Sequence, residues 1–136
     1  MMQTYEEVRS AVADALLYAS VHLEPDMVRV LQEMEGKTEE ALRALDRKDV
    51  RYESFAASLE VLVMIRKNLQ LAAEKGLPMC QDTGMIIAFV SMGSDSPFSM
   101  HQLQEAIIEG ASEAVKKGYF RESVVAEPLF DRCNTG

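Results

Sequence analysis

The sequence predicts an α+β fold, predominantly helical: an N-terminal helical bundle, then a small β element and a further helix, within a single domain spanning 1–136. Three observations predict it. Apolar residues recur at helical spacing through most of the first 75 positions. The run Met85-Ile86-Ile87-Ala88-Phe89-Val90 is rich in β-branched and aromatic residues. A cap-and-spacing pattern resumes at Ser99 and ends at Gly118.

Each element has its own signals. Thr4 with Glu7 forms a capping box, after which Val8, Val12, Leu16 and Ala19 keep one face. Pro25 suits the first position of a second helix carrying Met27, Val30, Leu31 and Met34, with Gly36 as its stop. Thr38 is placed to cap a short third helix through Leu42 and Leu45. A long helix over 51–75 ends at Gly76 and Pro78. Its apolar positions, among them Leu59, Leu62, Val63, Ile65 and Leu69, nearly encircle it, which predicts deep burial. The strand over 85–92, a loop around Ser94-Asp95-Ser96-Pro97 and a helix opened by the Ser99/Gln102 capping box come next. Ser123-Val124-Val125 reads as a second short strand, and Asn134-Thr135-Gly136 is turn chemistry that reads as a boundary inside a larger domain.

Composition narrows the function classes. The 136 residues are 48% apolar and 26% charged, a globular balance. The formal charge of -8 repels nucleic acid phosphates and anionic membrane surfaces, so neither is an expected partner. No basic leader precedes the first apolar stretch, and no run reaches the roughly 18 apolar residues of a membrane span. A cytoplasmic protein is the expectation. Cys80 and Cys133 lie 53 positions apart without a CxxC pair, which argues against both a zinc ribbon and a disulfide.

The chemistry concentrates in Cys80-Gln81-Asp82-Thr83-Gly84. On residue types alone, Cys80 reads as a thiolate nucleophile, a metal ligand or a buried thiol ahead of a turn. Asp82 reads as a proton-transfer group or the anchor of an Asx turn. Asp82-Thr83-Gly84 also spells the aspartic protease triplet, but that chemistry needs an all-β setting and a second aspartate, and the chain has one such triplet after a long helical stretch. His22 and His101 have no metal-ligand spacing and read as surface residues.

Taken whole, Pro78-Met79-Cys80-Gln81-Asp82-Thr83-Gly84 after a helix bearing Asn68 resembles the motif of the iron–sulfur hydro-lyases, the class I fumarases and L(+)-tartrate dehydratases, in their α subunit or N-terminal region. Arg121 and the terminal Asn134-Thr135-Gly136 come in the same order as in that family. The resemblance implies a [4Fe–4S] cluster with Cys80 as one of three cysteine ligands, the others lying beyond Gly136, and leaves Cys133 outside the ligand set. It implies that Gln81 and Asp82 contact substrate, that Asp82 takes part in proton transfer, and that Arg121 grips a carboxylate. The implied reaction is reversible hydration of fumarate to (S)-malate, with L(+)-tartrate or mesaconate chemistry as the alternative. The implied partners are a β subunit, a second α chain and a small dicarboxylate substrate, and the chain alone is expected to be inactive. The reading from another class is a non-catalytic helical interaction module, which would be indifferent to iron.

Overall fold

The computed structural model describes residues 4–81, 85–121, 125–130 and 133. Four helices succeed one another along the chain: α1 Tyr5–Val21, α2 Pro25–Ala44, α3 Tyr52–Lys75 and α4 Met100–Lys117. They divide between two compact units, one made of Met1–Ser20 with Cys80–Gly136 and the other of Val21–Met79.

The second unit is a helical hairpin in which α2 packs on α3. Pro25 opens α2 as the sequence predicts, but the helix runs straight through Gly36 to Ala44, so the expected break and third helix are not there. Two causes are local. Thr38 does not cap a new helix; its hydroxyl donates to the Met34 carbonyl at 2.7 Å, inside the same helix. Val28, Leu31, Thr38, Leu42 and Leu45 also hold three–four spacing across the glycine, so packing on α3 outweighs the ~1 kcal/mol a helical glycine costs. Arg66 of α3 pairs with Glu35 of α2 at 3.0 Å.

The turn between them is held by Asp49. Its carboxylate accepts from the Arg51 guanidinium at 2.9 and 3.0 Å and from the Arg51 backbone N–H at 2.9 Å. The Arg51 side chain, then its N–H, lower the Asp49 pKa from 3.8 to about 2. A depressed carboxylate pKa contributes stability above the unfolded value, and that contribution is lost as pH falls through the folded one. An NMR titration of the Asp49 carboxyl is therefore expected to show its midpoint near pH 2, returning toward ~3.9 in Arg51→Ala. A wild-type midpoint already at the ordinary value would refute the pairing.

At the far end of α3, Gly76 adopts the left-handed conformation (φ 63°), and the N–H groups of Gly76 and Leu77 both donate to the Ala72 carbonyl. The stop is where the sequence predicts it. The expected deep burial of α3 is not there: only Ala72 is buried, while Val61, Met64 and Leu71 are 49%, 60% and 52% exposed.

The first unit contains α1 and α4. Both predicted capping boxes form: Glu7 N–H donates to Thr4 Oγ at 3.2 Å with the reciprocal bond at 2.7 Å, and Ser99 and Gln102 repeat the arrangement. The buried residues here are small: Ala13 on α1, and Ala106, Gly110 and Ala114 on α4, spaced four apart. A Cβ at Gly110 would collide with the Arg9 carbonyl oxygen and stand 2.9 Å from Val12 Cβ, so the backbones of α1 and α4 approach closely across the glycine. Arg9 and Lys117 both pair with Glu113 beside this crossing. The Lys117 hydrogen bond, with Arg9's charge, holds the Glu113 carboxyl below its usual range against partial desolvation.

The small β element is a correction. Among the described residues there is no strand, and residues 85–92 carry no regular structure, with Ile87 72% and Phe89 96% exposed. Side-chain propensity marks that run as strand-like, but a strand exists only when a neighbour takes up its N–H and C=O groups. The described residues supply no such neighbour. Ser123 and Val124 of the second expected strand lie outside them. Among the described residues the architecture is helical, without the β part of the expected α+β fold.

Candidate functional site

The segment that should carry chemistry leaves the C-terminal end of α3. The Gly76 cap turns the chain out of the helix, and the Asn68 side chain fastens the emerging segment, its Nδ2 donating to the Met79 carbonyl at 2.7 Å. The sequence marks Asn68 only as a feature of its helix. In the structure it ties the last turns of α3 to the residue directly before Cys80. No sequence signal marked that bond, because it runs to a backbone carbonyl eleven positions on.

Cys80 is an exposed thiol with no hydrogen bond or ion pair among the described residues. The buried-thiol reading therefore falls, and the accessible nucleophile or ligand readings stand. Gln81 is exposed and donates from Nε2 to the Tyr119 carbonyl at 2.7 Å. That bond joins segments 38 positions apart and lays Gln81 beside the stretch that leads from α4 into Arg121. Arg121 is exposed, and its guanidinium has no partner among the described residues. An unpaired guanidinium of this kind is a ready fork for a carboxylate. Asp82, with Thr83 and Gly84, lies outside the described residues, as do Asn134, Thr135 and Gly136.

Two predicted site residues, Gln81 and Arg121, are thus on neighbouring segments of one unit, and Cys80 directly precedes one of them. The amide that was expected to face substrate spends one donor on the Tyr119 backbone, which fixes its carbonyl oxygen and its second N–H in place for other contacts. Cys133 is an exposed thiol whose carbonyl accepts from Ala126 N–H at 3.4 Å. His101 lies on the exposed surface 3.5 Å from Glu105.

An iron–sulfur cluster is held by deprotonated cysteine sulfur that the cluster can reach. Cys80, a free and exposed cysteine, could supply one such ligand. Among the described residues, no group of three or more His, Cys, Asp or Glu side chains gathers as a metal-binding set. The donor chemistry present fits one corner of a cluster. No helix is long and apolar enough to cross a membrane among the described residues.

The chain has relatives among known proteins. L(+)-tartrate dehydratase subunit alpha of Escherichia coli K12 is 39% identical over 69 residues, which is 51% of this chain and 22% of that protein. The putative L(+)-tartrate dehydratase subunit alpha of Methanocaldococcus jannaschii is 28% identical over 120 residues, 88% of this chain and 37% of that protein. The chain thus spans well under half the length of the curated relatives it matches. No solved structure matches it at a significant level. The sequence profile described as fumarate hydratase (Fumerase) matches residues 9–136, and the chain belongs to that family of hydro-lyases.

Proposed function

We propose that the chain forms part of the α subunit of an iron–sulfur hydro-lyase that hydrates fumarate reversibly to (S)-malate in the cytoplasm. The single observation that carries this reading is the Gln81 Nε2 to Tyr119 carbonyl bond at 2.7 Å, which holds the Cys80-Gln81 turn beside the segment bearing Arg121. A soft ligand and a carboxylate fork on one small surface suit a dicarboxylate.

Cys80 would hold one corner of the [4Fe–4S] cluster, whose open iron supplies Lewis acidity at the substrate oxygen when bound. The chain's own residues do the rest. Arg121 binds and orients one carboxylate, and in an acidic protein it supplies the local attraction that the net charge of -8 denies. Gln81 positions a substrate oxygen through the amide atoms left over from the Tyr119 bond. Asp82 is the candidate for proton transfer. One cysteine and one arginine do not make a complete site, so the other cluster ligands come from further α-subunit sequence. A β subunit completes the assembly, and the chain alone is inactive. Dehydration of L(+)-tartrate is the second reading, favoured by the names of the curated relatives.

The test is the assembly purified without oxygen, with its iron and sulfide content measured. Fumarate, L(+)-tartrate and mesaconate chemistry are then assayed side by side with an Arg121→Lys variant. Lysine keeps the charge and loses the two-pronged geometry, so kcat/KM is expected to fall about 10- to 100-fold through KM, with iron content unchanged. Turnover of tartrate alone selects the second reading. An assembly that neither binds iron nor turns over any of the three dicarboxylates sinks both.

A further inference from the structure

Cys80 follows a segment whose path is set by α3. From Asn68 to the Gly76 cap the helix climbs about 12 Å, at 1.5 Å per residue. Yet the Asn68 amide donates to the Met79 carbonyl at 2.7 Å. Leu77-Pro78-Met79 must therefore run back along the helix nearly stretched, since three residues span at most about 11 Å. Two residues prepare that path. Gly76 in its left-handed conformation (φ 63°) reverses the chain, and Pro78 has a fixed φ and biases Leu77 toward extended backbone.

The Asn68 bond is not what ends the helix. The N–H groups of Gly76 and Leu77 close the last turn on the Ala72 carbonyl without it. The bond is also exposed to solvent, where an amide–carbonyl pair adds little to global stability. Its effect is local. A peptide unit is planar, so the Met79 carbonyl lies in one plane with the backbone nitrogen and Cα of Cys80. Holding the Met79 oxygen against α3 restrains the plane from which the Cys80 side chain departs.

The thiol itself is left alone. Cys80 has no hydrogen bond or ion pair among the described residues, and no other described hydrogen bond reaches residues 78–80. A restrained backbone below an unengaged sulfur is what a metal ligand needs, because the donor is aimed without being consumed. Asparagine suits the task. Its side chain is short, does not titrate, and offers an N–H donor to a carbonyl at any pH.

We propose that Asn68 is a positioning residue for the cluster ligand, its amide acting through the Met79 carbonyl to orient Cys80. This role rests on the hydro-lyase reading and adds to it a residue that touches neither substrate nor metal.

Two measurements test it, one of them without iron. In the full chain without cluster, NMR relaxation is expected to give the Cys80 backbone amide an order parameter near 0.85, that of rigid backbone, falling below about 0.6 in Asn68→Ala. Asn68→Gln keeps the amide donor and should return most of that order. Far-UV circular dichroism should be the same in all three, since alanine and glutamine both suit a helix interior. In the anaerobically purified assembly, Asn68→Ala is expected to surrender iron to a chelator about 10- to 100-fold faster than the wild type, the usual effect of losing a group that orients a metal ligand. Its kcat falls while KM stays, because carboxylate binding by Arg121 is untouched, and Asn68→Gln slows the iron loss again. A Cys80 amide already mobile in the wild type, or equally ordered in Asn68→Ala, overturns the proposal. Iron held equally well with and without the amide removes the role of Asn68 alone. A wild-type assembly that takes up no iron is a distinct result, and removes the hydro-lyase reading together with this role.

Discussion

Gly110→Val is expected to unfold the unit built on α1 and α4, with the midpoint of thermal or urea unfolding falling far enough to leave little native helix there. The reason lies in what an added side chain would meet. The first obstacle to a Cβ is the Arg9 carbonyl oxygen, and the next is Val12 Cβ at 2.9 Å. A long side chain could swing away, but the α1 backbone yields only if the helices separate. Separation would expose the surfaces around Ala13, Ala106 and Ala114, which are 1%, 1% and 0% exposed, and pull Arg9 away from Glu113. Overpacking a tight contact costs about 1–3 kcal/mol, and a β-branched residue against backbone belongs at the upper end or beyond.

Two companion substitutions make the prediction specific. Gly110→Ala gains ~1 kcal/mol of helix propensity, yet should still destabilise, because the clash is with backbone. Gly36→Ala on α2 adds a Cβ that meets nothing within 4 Å and should stabilise by about 1 kcal/mol. If Gly110→Val melted with the wild type while Gly36→Ala behaved as expected, the close approach of α1 to α4 would be wrong.

Legibility in the sequence is local. The Thr4/Glu7 and Ser99/Gln102 boxes, Pro25 at a helix start and Gly76 at a helix end are each determined by atoms within about one turn, and each forms. Gly36 misleads because a punctuation residue competes with a stripe: the packing of α2 on α3 is a tertiary fact that propensity does not contain. The strand over 85–92 misleads for the complementary reason, since β-branched residues announce a pleated surface but not the neighbour that completes it. The encircling apolar pattern of α3 suggests burial, whereas Met64 and Leu71 lie open. Hydrophobicity says that a face wants cover and is silent on whether this chain provides it. At the site, the type and order of Cys80, Gln81 and Arg121 are readable. The 2.7 Å bond that brings Gln81 beside the Arg121 segment is not, because it runs through the backbone carbonyl of Tyr119, a group every residue carries.

In the anaerobically purified assembly, Cys80→Ser is expected to remove most of the visible charge-transfer absorbance, lower bound iron and sulfide, and reduce turnover by about 10³-fold or more, the equivalent of about 4 kcal/mol. The cause is the ligand atom. Sulfur as thiolate is a soft donor that suits iron–sulfur clusters, while a serine hydroxyl is harder and keeps its proton at neutral pH. The substitution is nearly isosteric and falls on an exposed position with no partner among the described residues, so the helices should be untouched. Unchanged far-UV circular dichroism with lost absorbance would therefore place the damage at the ligand rather than in the fold. Cys133→Ser supplies the contrast. Cys133 is an exposed thiol as well, so cysteine loss in general is matched, yet the resemblance assigns it no ligand role. Its variant should keep both cluster and turnover. A Cys133→Ser protein that loses its cluster while Cys80→Ser retains one would reverse the assignment of the two cysteines. Full turnover in Cys80→Ser would remove the thiol from the chemistry altogether, leaving the Arg121 fork without the metal corner that gives it a reaction to serve.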